Sequence, residues 1–251
     1  MPEPSPAAPR LASTDFLDRL EHSANRFAEL ASTGDLEAPV PPCPDWTLAD
    51  LVSHLGEIHQ WARHAVVAGN PDADLVPAPS ARPALIDWYQ DAAGALSGTL
   101  RATDPQTPVW TFGPKPRTAS FWMRRQAHET TIHLWDAETS QGSAAPLDDT
   151  LARDGIDELI SMFFPRQVRL GRIAPLAQAL ALEASGVPQR WVLAGDGTDP
   201  AAGPPVDATV SGPAEALLLL LWGRIGLDDP RLALAGADVA AHAVLQQALT
   251  P

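Results

Sequence analysis

Residues 121–138 read Phe121-Trp122-Met123-Arg124-Arg125-Gln126-Ala127-His128-Glu129-Thr130-Thr131-Ile132-His133-Leu134-Trp135-Asp136-Ala137-Glu138. On a wheel of about 100° per residue, Arg124, Thr131 and Glu138 fall together and predict an ordinary wet face. Phe121, Ile132 and Trp135 form one apolar flank, and Met123, Leu134 and Ala137 form the other. Between the flanks, opposite the wet face, lies a stripe of Arg125, Glu129, His133 and Asp136 with Trp122 at its start. A helix facing a core presents mainly apolar residues there, and unpaired buried charges are expensive, so these four groups need compensation. One reading is an internal salt-bridge network, Arg125 with Glu129 and His133 with Asp136. The other is a metal site, since Glu129 and His133 stand four apart on one face. From this helix by itself the two readings stand level.

A second helix, capped at Asp45 or Thr47 and ending near Gly69, supplies a third candidate ligand. Leu48, Leu51, Leu55, Ile58, Ala62 and Ala65 make its apolar stripe, and His54 sits at the edge of that stripe, between Trp61 and Ala65. Asp50 and Glu57, one turn away on either side, are candidate acceptors for its other ring N–H. His59, at the stripe's other edge, is either a core histidine or a residue lining the same cavity. Two imidazoles and one carboxylate across a bundle suit a divalent metal with open positions, as in catalytic zinc or non-haem iron sites. His128 through His133 is not the H-E-x-x-H protease motif: His128 and His133 are five apart and diverge by about 140°.

Two further helices, from Thr14 or Asp15 to about Ala31 and from Pro83 to Ala102, complete four helices with the 120–139 segment. They predict a four-helix bundle over residues 10–145. Prolines 39, 41, 42 and 44 and a Pro-rich loop over 70–82 separate the helices, and residues 1–10 read as a loose tail. After Gly142 the texture changes. A helix is expected over Asp148–Phe164, strands over Ala177–Glu183, Arg190–Ala194 and Val206–Val210, and a helix from Pro213 through Trp222. A short strand at Leu232–Leu234 and a helix over Ala237–Leu249 follow. Residues 146–251 thus form a smaller α+β domain, and the overall class is α+β.

Composition excludes several functions. Among 251 residues, 17 Lys+Arg against 31 Asp+Glu leave a net charge of −14, a poor match to nucleic acid, whose phosphates need a concentrated basic footprint. One cysteine rules out an internal disulfide or a Cys-rich zinc site. The longest apolar run, Ala216 to Trp222, is far short of the roughly 20 residues of a membrane span. The start shows no basic segment followed by an apolar one, so a cytoplasmic protein without a signal peptide is expected. A monomer is expected, with a dimer left open.

The segment Pro42-Cys43-Pro44-Asp45-Trp46-Thr47-Leu48-Ala49-Asp50-Leu51-Val52-Ser53-His54-Leu55-Gly56, followed by His59-Gln60-Trp61-Ala62, resembles the metal-binding N-terminal domain of the mycothiol-dependent maleylpyruvate isomerase family, a DinB-like four-helix bundle. So does Arg124 through Glu138. The resemblance covers about residues 12–140. Beyond them, Ala208-Thr209-Val210-Ser211-Gly212 and Leu221-Trp222-Gly223-Arg224 are similar, with weaker motifs, to the family's small α+β C-terminal domain. The resemblance implies zinc on His54, Glu129 and His133, mycothiol as cofactor, and an actinobacterial cytoplasm. It also suggests a pocket role for Arg224 where the second domain meets the bundle.

The chemistry expected of a three-ligand zinc is thiol activation, because metal coordination deprotonates a thiol whose free pKa is about 8.5. A thiolate adding to the double bond of an unsaturated keto acid, followed by rotation and elimination, gives cis–trans isomerisation. An adduct that persists makes the protein an S-transferase acting on small electrophiles. Arg125 and Arg224 are the candidate cations for an anionic substrate, and His59 and Asp136 the candidates to face the cofactor. Arg224 can equally complement a helix dipole, and Cys43 reads as a packed small residue. The rival reading is a non-catalytic metal-containing small-molecule-binding or regulatory protein with a sterol-carrier-like second domain. A structural zinc usually has four protein ligands, and three are found here.

Overall fold

Apolar residues three and four apart in the first half of the chain build four long helices, and the residues between them act as stops and caps. The computed structural model describes residues 11–198 and 205–250. The tail expected over residues 1–10 lies outside them. Helix α1 spans Ser13–Thr33, α2 Leu48–Ala68, α3 Arg82–Ala102 and α4 Ala119–Ser140. At the start of α2 the Asp50 amide donates to the Thr47 hydroxyl, while the Thr47 amide and hydroxyl donate to the Asp50 carboxylate. Gly69 ends α2 in the left-handed region at φ 71°, and Pro83 occupies the first turn of α3, where its missing N–H costs nothing.

Within the unit Leu11–Pro146, α4 packs on α1 and α2, and α3 closes the ring against the same two helices. Leu20, Phe27, Leu48, Leu51, Leu55, Tyr89, Leu96, Leu100 and Trp122 are wholly or almost wholly buried between them. Fourteen residues of α4 are buried, including Arg125, His133 and Asp136, so α4 is enclosed rather than half-wet. The face expected to be wet is a correction. Thr131 and Glu138 are buried against α1, where the Ser23 and Thr131 hydroxyls meet at 3.1 Å and Arg26 Nε reaches Glu138 Oε1 at 3.4 Å. Small hydroxyls and one ion pair let α1 lie over positions that a wheel scores as polar.

From Leu147 onward a second, smaller α+β unit follows. Asp148 caps α5 (Asp149–Glu158) through the Leu151 amide. The helix expected to end at Phe164 continues through a π-helical turn, Leu159–Phe163, into α6 (Phe164–Arg169), whose first turn holds Pro165. A wider turn just before a residue with no N–H accommodates the missing hydrogen bond. Strands β1 (Leu176–Ala184), β2 (Arg190–Gly195), β3 (Ala208–Gly212) and β4 (Ala233–Gly236) form one sheet in the order β2-β1-β3-β4. β1 runs antiparallel to β2 and parallel to β3, and β4 is antiparallel to β3. β3 lies two residues beyond its expected position because β1 pairs Glu183 with Ser211 and Ala184 with Gly212. Helix α7 (Ala214–Leu221) precedes β4. Helix α8 (Asp238–Leu245) ends before the expected Leu249. No helix among the described residues is long and apolar enough to cross a membrane.

Candidate metal centre

Helices α2 and α4 lie side by side and antiparallel, which sets the N-terminal third of α2 against the C-terminal half of α4. His54 projects from α2, and Glu129 and His133 project from one face of α4. Their ligand atoms all lie within 4.8 Å of one another. His133 Nε2 stands 3.3 Å from Glu129 Oε1, and His54 Nε2 stands 3.8 Å from the same oxygen. Donors bound at about 2.0–2.1 Å in a tetrahedron sit about 3.3 Å apart, so little movement would let the three share a divalent ion. The His54 side chain keeps 32% of its surface exposed, which leaves an approach from solvent. Trp46 covers part of its ring at a centroid distance of 4.9 Å.

The groups around Glu129 and His133 fix the orientation of these candidate ligands. Arg125 Nη2 holds Glu129 Oε2 at 2.9 Å, leaving Oε1 for the centre. Asp136 Oδ2 lies 3.0 Å from His133 Nδ1, which places the proton on Nδ1 and the lone pair on Nε2. Both salt bridges of the network reading are therefore present, and they position the same atoms that the metal reading requires. The two readings are not rivals.

In the metal-free chain, burial disfavours the Glu129 anion. The His133 hydrogen bond and the facing His54 and Arg125 groups more than reverse this and hold the carboxyl well below its usual range. Burial likewise opposes the His133 cation, but Asp136 and Glu129 outweigh it and raise the imidazole to about 9. A metal at the centre replaces that proton.

Three further candidate site residues are buried. Asp136 has no exposed surface, and its carboxylate meets His133 Nδ1. Arg125 is 2% exposed with its guanidinium on Glu129, which makes it a positioning group and not a free cation for substrate. His59 is also fully buried: Nε2 meets Thr130 Oγ1 at 3.0 Å, the ring packs on Tyr89, and burial pushes its pKa down to about 3. It sits in the bundle core, one of the two roles its position on α2 allows. Asp50 is occupied by the α2 cap and does not serve His54. The Thr47-to-Asp50 spacing, a capping box, is the signal that separates the two roles.

Sequence reasoning also missed two neighbours of the centre, Trp46 on His54 and Cys43, whose Sγ lies 3.9 Å from Asp136 Oδ2. In the second unit, Arg224 Nη1 donates to the Trp222 carbonyl at 2.8 Å, and its guanidinium lies 5.7 Å from the centre of the Trp222 ring.

Residues 17–138 match the model of the mycothiol maleylpyruvate isomerase N-terminal domain, and residues 150–243 match that of the MDMPI C-terminal domain. The chain is similar to the crystal structure of the mycothiol-dependent maleylpyruvate isomerase at 17% identity and a TM-score of 0.61. It is also similar to the structure of a histidine-to-alanine mutant of that isomerase at 15% identity and a TM-score of 0.60. Each likeness covers 90% of this chain and 93% of the other. At these identities it shows a shared fold. No curated protein matches the chain.

Proposed function

Because the chain belongs to the mycothiol-dependent maleylpyruvate isomerase family, which it matches in both halves and in order, we propose that it is a mycothiol-dependent metalloenzyme acting on a small electrophile. The observation that carries this reading is the convergence of His54, Glu129 and His133 within 4.8 Å, with the supporting groups of each α4 ligand already in place. Two nitrogens and one oxygen fit zinc or another divalent cation and leave coordination positions open.

A metal bound there supplies a lowered thiol pKa, and the thiol supplies a reversible nucleophile for an activated double bond. The chain's own residues do the rest. Arg125 keeps Glu129 ionised and fixes which oxygen faces inward. Asp136 holds the His133 proton on Nδ1. Trp46 covers one side of His54 and restricts water there. Elimination from the thiol adduct makes the reaction a cis–trans isomerisation of an unsaturated keto acid; retention makes it an S-transfer.

Metal analysis of the purified protein followed by calorimetry with mycothiol tests the reading. About one divalent metal per chain and thiol binding that disappears on chelation are expected. Metal bound with no thiol affinity would leave a non-catalytic binding protein in its place. Turnover of maleylpyruvate with catalytic against stoichiometric thiol then separates isomerisation from transfer.

A further inference from the structure

The loop that leads into α2 is tied to itself and carries one aromatic side chain to the candidate metal centre. The Val40 amide donates to the Trp46 carbonyl at 2.9 Å, and the Trp46 amide donates to the Cys43 carbonyl at 3.1 Å. Pro39 pairs with Thr47 as a short antiparallel bridge, and Thr47 then caps α2. Asp45 takes a left-handed φ of 69°, a conformation that Asp tolerates better than most residues. These bonds fix the backbone of Trp46 before any ligand arrives, which lowers the ordering cost of a contact made there. The indole is half-buried and packed against the bundle core, with its ring 4.9 Å from that of His54 at an angle of 58°. His54 is the most open of the three candidate ligands, at 32% side-chain exposure against 18% for Glu129 and 11% for His133. Trp46 therefore stands beside the side from which a ligand reaches the centre.

An indole N–H is a donor only, and in a partly buried tryptophan it usually finds an acceptor. Trp61, Trp88, Trp122 and Trp191 each donate theirs, to Pro71, Val76, Trp110 and Asp157. The indole N–H of Trp46 has no partner among the described residues. The charged groups near it are already engaged: Arg125 on Glu129, Asp136 on His133, and Asp50 on Thr47. A free donor beside a coordination site fits an acceptor oxygen on the molecule coordinated there, and offers nothing to a hydrocarbon. We infer that Trp46 touches the metal-bound thiol directly, its ring walling one side and its N–H donating to a carbonyl oxygen a few atoms from the sulfur. The centre thereby prefers an acylated aminothiol to a plain alkyl thiol. The inference rests on the thiol-binding reading proposed above and adds the residue that selects among thiols.

The test is calorimetry of the full-length, zinc-loaded protein with 2-acetamidoethanethiol, which carries an acyl oxygen, and with 1-propanethiol, which does not. Trp46→Phe keeps a ring on His54 and removes the N–H. The variant should bind zinc and 1-propanethiol as the parent does. It should bind 2-acetamidoethanethiol about 3–10-fold more weakly, the worth of one neutral hydrogen bond. In the zinc-loaded parent, the Trp46 indole N–H proton, assigned by its loss in Trp46→Phe, should move downfield with 2-acetamidoethanethiol and not with 1-propanethiol. Equal weakening of both thiols would reduce Trp46 to a packing group for His54, and no weakening of either would leave its N–H in solvent. Each of these results overturns the inference while thiol binding stands, as does an indole proton that ignores the acyl oxygen. A parent that binds zinc but neither thiol overturns instead the reading on which the inference rests.

Discussion

Asp136→Asn separates the two effects of the carboxylate behind His133. In the metal-free protein hydrogen bonds and charge from Asp136 and Glu129 raise His133 to about 9. At pH 7 a metal must displace a proton held two pH units too tightly, a handicap of about 100-fold in apparent affinity. Asparagine removes the part of that handicap due to Asp136, Glu129 keeping its share. It also loses the charge that orients and enriches the imidazole, and losses of this kind cost roughly 10–100-fold. The effects oppose each other at pH 7, so variant and parent should bind zinc within about tenfold of one another there. At pH 9 the handicap is gone and the loss remains, leaving the variant roughly 10–100-fold weaker. Competition against a chromophoric chelator across pH 7–9 reads both limbs. The parent's log affinity should climb by close to one per pH unit while the variant's stays flatter. Parallel curves, with a parent-to-variant ratio that does not grow between pH 7 and 9, would refute both the proton on His133 and its exchange for metal.

Alanine at His54, Glu129 or His133 should abolish metal loading while the helical circular dichroism is retained; full occupancy in any variant removes that residue from the ligand set. Metal-free stability should peak near pH 6.5. The raised His133 contributes stability that is complete below 6.5 and lost as pH climbs through 9, about 3 kcal/mol, whereas the depressed His59 contributes stability present above 6.5 and lost as pH falls toward 3, up to about 5 kcal/mol. Urea titrations at pH 5, 6.5 and 9 measure both slopes, and His59→Gln should flatten the acid one. Gly56→Ala drives a methyl into the Trp88 ring, so it should cost about 1–3 kcal/mol in thermal unfolding with metal content unchanged.

The candidate ligand set was legible because helical periodicity is local. Four residues of α4 share a face whatever surrounds them, and His54 lies on the inward side of α2 for the same reason. Helix positions were equally open to reading, since Thr47 with Asp50, Gly69 and Pro83 are start and stop signals that act within a few residues.

Whatever depended on a neighbour distant in the chain stayed hidden. A wheel places Arg124, Thr131 and Glu138 in solvent, and only the packing of α1 shows Ser23 and Arg26 covering the last two. Periodicity cannot tell that Tyr89 and Thr130 enclose His59. The same holds for β3, whose limits follow from its pairing with β1. Sequence by itself determined which side chains face inward, because backbone geometry repeats every few residues. Tertiary structure decided which of those converged on one point, which support them and which are core, because burial and hydrogen bonding belong to pairs of segments and not to either one.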